Sequence, residues 1–138
     1  TRVAIAAAVA TDPWEQMRAA TRGFLTACLD PAIRRIVLID GPSVLGWEEW
    51  RRIDTKYSFG MLHTALEVNM ACGNLRPLPL DALTHLYVGA MNEAGLAVAA
   101  AADPAAAVEE LAATLDAVME AQRITPSARR AGRPTKKR

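Results

Sequence analysis

Aromatic residues are scarce in this chain: three tryptophans, two tyrosines and two phenylalanines among 138 residues. A β-sandwich draws on more aromatic and β-branched side chains, so the scarcity points to helices packed through Leu, Val, Ile, Met and Ala. Cysteine is scarcer still. Cys28 and Cys72 show neither CxxC nor Cys/His spacing, which argues against a zinc ribbon or a disulfide scaffold. Both fall in apolar helical patterns and are expected as buried thiols in a reducing, cytoplasmic setting. The longest apolar stretch, Val88 to Ala102, is interrupted by Asn92-Glu93 and is too short to span a bilayer. No targeting signal is visible, so no membrane partner is expected.

Catalytic arrangements are missing as well. No Gly-x-Ser-x-Gly elbow occurs, and Ser43, Ser58 and the cysteines have no adjacent histidine. Asp40-Gly41-Pro42-Ser43 lacks the lysine and second glycine of a phosphate-cradling loop. His63 and Glu67, four apart on one helix, could face one point. Two ligands are too few for zinc, however, and His85 lies on a different helix. With Arg52 and Lys56 on the same strip, a solvated, ion-paired face is the better reading. A protein without enzymatic activity, metal or cofactor is expected.

The chain has length for one domain with a single core. Hydrophobic residues make up 51% and charged ones 22%, with a formal net charge of +1. That balance conceals an asymmetry, because six of the 16 basic side chains crowd into residues 129–138, which hold no acid. The expected organisation is a domain over 1–124 and a basic, disordered tail over 125–138.

Three Asp-Pro pairs, at 12–13, 30–31 and 103–104, mark helix starts. The aspartate accepts from an orphan N–H of the first turn, and the following proline lacks only an N–H that would be unpaired there. After the first start, Trp14, Met17, Thr21, Phe24, Leu25 and Cys28 recur at helical spacing. Ile36-Val37-Leu38-Ile39 fits either a buried strand running into a glycine turn, as in a nucleotide-binding α/β domain, or the end of a buried helix. A helix from about 31 to 39, ended by Gly41-Pro42, uses every local signal, whereas a strand strands residues 30–35 as half a helix. From about Gly46 to Cys72 a long helix carries two apolar rows. One runs through Trp50, Ile53, Tyr57, Met61, Thr64 and Val68, the other through Phe59, Leu62, Leu66 and Met70. Two further helices, about 81–101 and 104–122, are joined by Asp103-Pro104 and so lie antiparallel. The fold class is therefore all-α, an antiparallel bundle of about five to six helices. The last two carry more apolar surface than one small domain needs, and pairing with a twin into a four-helix bundle is the natural outlet.

"DPAIRRIVLIDGPSVLGWEEWRRID", residues 30–54, resembles the segment of TetR-family transcriptional regulators that joins a short buried helix to the long central one. "LTHLYVGAMNEAGLAVA", residues 83–99, resembles their first dimer-forming helix. The likeness covers roughly residues 1–124 and implies helix plus loop at 36–42. The family's N-terminal helix-turn-helix domain has no counterpart in these residues. The resemblance implies the C-terminal ligand-binding and dimerisation domain of such a regulator: a homodimer with a small apolar ligand in each subunit, coupled to operator DNA through a domain this chain does not contain. The expected pocket residues are Trp14, Met17, Phe24, Trp47, Tyr57, Met61, Leu62, Leu66 and Met91, with His85 and Asn92 as hydrogen-bonding groups. The expected dimer seam is Tyr87, Ala90, Ala94, Val98, Leu111, Leu115 and Val118. The alternative is a stand-alone helical dimerisation module whose tail contacts nucleic acid. "SARRAGRPTKKR" holds the Gly-Arg-Pro core of AT-hook-like minor-groove binders, and Arg130, Arg133 and Lys136 would make the contacts.

Overall fold

The computed structural model describes residues 12–35 and 40–124. Residues 1–11, 36–39 and 125–138 lie outside the described residues, and with them the Ile36–Ile39 run and the whole basic tail. Within the described residues the chain forms seven α-helices and a π-helical turn between the fourth and fifth. The helices are α1 (Pro13–Ala27), α2 (Pro31–Arg34), α3 (Gly41–Leu45), α4 (Trp47–Asp54), α5 (Gly60–Ala71), α6 (Leu80–Ala100) and α7 (Pro104–Glu120), with the π turn at Thr55–Phe59 between α4 and α5. The expected all-α class is what the molecule has.

The Asp-Pro starts work, though not all alike. Asp30 accepts from the Ala32 N–H at 2.9 Å and Asp103 from the Ala106 N–H at 3.1 Å. Asp12 differs: its side chain makes no capping bond, and only its carbonyl receives the Gln16 N–H, at 2.9 Å. Glu15, three residues after Asp12, pairs with Arg18 at 3.1 Å.

Two boundaries correct the sequence reading. Gly41-Pro42 does not end a helix but begins α3, because proline within the first helical turn forfeits no hydrogen bond. The stop comes at Gly46, whose φ of +78° is a left-handed conformation that other residues adopt only under strain. The long middle helix is also interrupted. The π turn adds a residue per turn and shifts the phase of everything after it. Met61, Thr64 and Val68, expected in an inward row, consequently face solvent, while Leu62 and Leu66 turn inward. Cys72, expected buried, is exposed just past the end of α5; Cys28 is buried, and desolvation raises its thiol pKa.

The core has two parts. Leu25 and Cys28 from the end of α1 pack with Ala94 and Val98 of α6 and Val108, Ala112 and Leu115 of α7. Trp14 and Met17 from the start of α1 pack with Leu66 of α5, Leu75, Tyr87 of α6 and Met119 of α7. Met91 touches both groups and joins them. Helix α1 thus lies in the angle of the α6–α7 hairpin, held outside by two ion pairs to α7: Arg18 to Asp116 at 3.0 Å and Arg22 to Glu109 at 2.7 Å. Exposed pairs of this kind contribute at most about 1 kcal/mol each, so the apolar contacts decide the packing.

A buried polar knot that the apolar patterning did not reveal closes the far end. Asn69, fully buried on α5, donates through Nδ2 to the Ala65 carbonyl at 2.9 Å and the Pro13 carbonyl at 3.2 Å. Its Oδ1 accepts from Asn74 Nδ2 at 2.9 Å. The Asn74 carbonyl in turn receives the Ile124 N–H at 2.8 Å, and the Gln122 carbonyl receives the Arg76 N–H at 3.1 Å. A short backbone bridge pairs Leu75 with Arg123. The end of α7 is thereby sewn to the α5–α6 loop, every group of the knot having a partner.

Candidate ligand-binding and dimer surfaces

The residues expected to line one apolar chamber separate into three environments. Trp14, Met17 and Leu66 are buried in the second core group, with Leu62 packed against it. They are held by their neighbours on all sides and serve the interior. Trp47 and Met61 are 60% and 62% exposed, Trp47 stacked on Trp50 with ring centroids 5.7 Å apart and Arg51 above it. Tyr57 belongs by backbone to the π turn, and its side chain lies outside the described residues. The remainder are Phe24, His85, Met91 and Asn92, of which His85 is exposed and the other three half-buried. Phe24 and Met91 are half-buried against the first core group, and Asn92 is half-buried one position beyond Met91.

His85 leads to a contact that the sequence does not announce. Its ring sits 4.7 Å from Phe59, the last residue of the π turn, and the other histidine, His63, stacks on the same phenyl at 5.9 Å. His63 Nε2 meets Asp81 Oδ1 at 3.0 Å rather than Glu67. Both histidines of the chain are thus gathered around one aromatic ring where the π turn meets α6. Among the described residues no group of three His, Cys, Asp or Glu side chains is placed to hold a metal ion. His85, Val88 and Asn92 follow one another at i, i+3 and i+7, a single stripe along α6. The elements packed against α6 are α1, α2, the π turn, α5 and α7.

A shallow open groove of about 400 Å³ lies elsewhere, between α1 and the end of α7, lined by Arg18, Asp116, Ala117, Glu120 and Arg123. Its charges are already paired, Arg18 with Asp116 and Arg123 with Glu120 at 3.3 Å. The Arg123 guanidinium also lies 4.8 Å from the Trp14 ring centre. Self-neutralised and charged, the groove is a poor place for an apolar molecule.

The expected dimer seam is divided by the fold. Tyr87, Ala94, Val98 and Leu115 are buried inside this chain, where α6 meets α7 and α1, and Leu111 packs against the first core group. Ala90 and Val118 face outward, Val118 at 54% exposure. Tyr87 donates its hydroxyl to the Leu115 carbonyl at 3.0 Å, tying the two hairpin helices together. Burial first, and the nearby Asp116 carboxylate second, push its phenol pKa well above the usual value. A phenol held neutral in the folded state stabilises it up to the unfolded tyrosine pKa of about 10 and loses that contribution as pH rises beyond it. We expect Tyr87 to ionise only with unfolding. An alkaline titration followed at 295 nm should show one of the two tyrosines titrating together with loss of helical circular dichroism; smooth titration of both in a folded chain would contradict the burial.

The side of α6 turned away from the core is apolar too. Leu86 is 72% exposed and Leu96 40%, and with them stand Ala82, Gly89, Ala90, Ala97 and Ala100. A Cβ placed on Gly89 would meet nothing within 4 Å, so another backbone has room to approach there. On α7 the outward side offers Ala113, Ala117 and Val118.

Comparison with known proteins agrees with this architecture. The family described as "Tetracyclin repressor-like, C-terminal domain" matches residues 14–122. The chain belongs to that family. The crystal structure of a TetR-family transcriptional regulator from Pectobacterium atrosepticum at 1.64 Å resolution superposes with a TM-score of 0.75 at 26% identity, over 91% of this chain and 64% of that one. The tetracyclin repressor-like chain therefore spans less than two thirds of that regulator's length. No curated protein matches it. Among the described residues no helix is long and apolar enough to cross a membrane.

Proposed function

We propose that this tetracyclin repressor-like domain senses a small apolar ligand and dimerises, without catalysing a reaction, and that a separate DNA-binding domain reads the ligand as a change in the spacing of two heads. A ligand moves such an equilibrium only by binding one arrangement better than the other. The observation carrying the dimer half is the outward face of α6, whose exposed leucines and alanines continue the helix's apolar character away from its own core. Its occupant is a second copy of this chain. Twofold association covers the same patch on both partners, and Gly89 with the flanking alanines lets two helices come close. The exposed face of α7, with Ala117 and Val118, lies alongside it as the other half of a four-helix arrangement.

For the ligand half we place the site along α6, on which α1, α2 and the π turn each pack, beside Phe24, Phe59 and Met91. His85 and Asn92 are the polar groups that would fix a ligand's orientation. A π turn at this position supports the reading, since such turns often accompany functional sites. The remaining pocket candidates serve the core (Trp14, Met17, Leu66) or the surface (Trp47, Met61). Thermal unfolding in the presence of a panel of apolar compounds tests this. A binder at about 100 times its Kd should stabilise the domain by about 2.7 kcal/mol, and Asn92→Ala should reduce the shift. A broad panel that never raises the unfolding temperature overturns the sensor reading.

A further inference from the structure

Glu93 stands out on the outward face of α6. It lies seven residues after Leu86 and seven before Ala100, two full turns from each, so it occupies the middle of the apolar stripe. No lysine or arginine occurs between Arg76 and Arg123, an interval that includes both hairpin helices completely. The other exposed carboxylates there have partners: Asp81 has His63, Glu109 has Arg22, Glu120 has Arg123, and Asp103 caps its own helix. Glu93 and Glu110 have no ion pair among the described residues. The charged groups on elements packed against α6 are Glu15, Arg18 and Arg22 of α1, Arg34 of α2, Lys56 of the π turn, His63 and Glu67 of α5, and Glu109, Glu110, Asp116 and Glu120 of α7. Of the cations among them, Arg18 and Arg22 are engaged by α7 carboxylates, and His63 meets Asp81.

We infer that Glu93 makes the association of two copies depend on pH, tightening it on acidification. The inference rests on the dimer reading above. If α6 crosses α6 of the second copy at Glu93, the two Glu93 carboxylates face each other. If α6 meets α7, Glu93 meets Ala113, Ala117 or Glu110, which are neutral or acidic. In neither case does the opposing helix supply a lysine or arginine, and on α6 His85 stands about two turns from Glu93. An ionised carboxylate carried into an apolar seam loses hydration with no counter-charge, whereas the protonated acid does not. The dimer therefore binds more protons than two free copies, and association strengthens as pH falls.

Sedimentation equilibrium of the full chain and of Glu93→Gln, at about pH 8 and about pH 5.5 in the same salt, reads this directly. Glu93 is exposed, so the substitution leaves the fold intact. The wild-type dissociation constant should tighten about tenfold between the two conditions, while Glu93→Gln should be tight at both and nearly flat. Dimers of equal strength and equal pH response in the two proteins overturn this inference alone. A wild-type chain that stays monomeric throughout overturns the dimer reading and this inference with it.

Discussion

Trp14→Ala should cost about 3–5 kcal/mol of folding stability, the largest loss expected from any single truncation in the domain. The indole is fully buried at the start of α1, in one cluster with Met17, Leu66, Leu75, Tyr87 and Met119, which draws side chains from α1, α5, α6, α7 and the loop before α6. No one element can move to fill the space without leaving the others. Arg123 lies over the ring, so the truncation also removes the aromatic platform that the end of α7 rests on. Trp14→Phe should behave differently. The indole Nε1 is buried without a hydrogen-bond partner among the described residues, a penalty that phenylalanine does not carry. Part of the volume loss is offset, and we expect a cost of no more than about 1–2 kcal/mol. Urea unfolding of both variants decides the matter. Equal costs would mean that the ring is not held as tightly as its burial says.

The second large effect separates two alanines one helical turn apart. Ala94→Arg should unfold the chain, because Ala94 is buried against Leu25, Val98, Val108, Ala112 and Leu115. An unpaired guanidinium there is both overpacked and desolvated, a penalty of about 3–5 kcal/mol. Ala90→Arg, on the exposed side of the same helix, should leave thermal stability of the monomer within about 0.5 kcal/mol. On the dimer reading it nevertheless separates the two copies. Circular dichroism and sedimentation velocity together give the result. An Ala94→Arg protein that stays folded would overturn the burial, and an Ala90→Arg protein that still dimerises would move the seam away from α6.

The sequence and the structure part company over the same few features. Helix starts at Pro13, Pro31 and Pro104 are legible because proline and aspartate act through their immediate neighbours. The α1 stripe of Trp14, Met17, Thr21, Leu25 and Cys28 is legible for a similar reason: α1 has a polar side, and the buried residues follow its period. Helix α6 has no such continuous polar side, its few polar residues being spread around otherwise apolar faces. Its periodicity cannot say which apolar face points inward, and Tyr87, Ala94 and Val98 were expected at the seam when they form the core. The π turn is invisible to a search at α-helical spacing, so Met61 and Val68 changed sides beyond it. The candidate ligand site suffered most. Its residues come from α1, the π turn and α6, far apart in the chain, and the Phe59–His85 contact exists only once those helices pack.

The sequence by itself determined that this is a helical protein, where most of its helices begin, and which family it resembles, because those properties depend on neighbours a few positions apart. Tertiary structure alone decided which side of each apolar helix is interior, which polar groups such as Asn69 are knotted inside, and which leucines and alanines are left facing outward. The physical reason is that burial is set by what covers a residue, and on a helix apolar all round the covering partner comes from elsewhere in the chain.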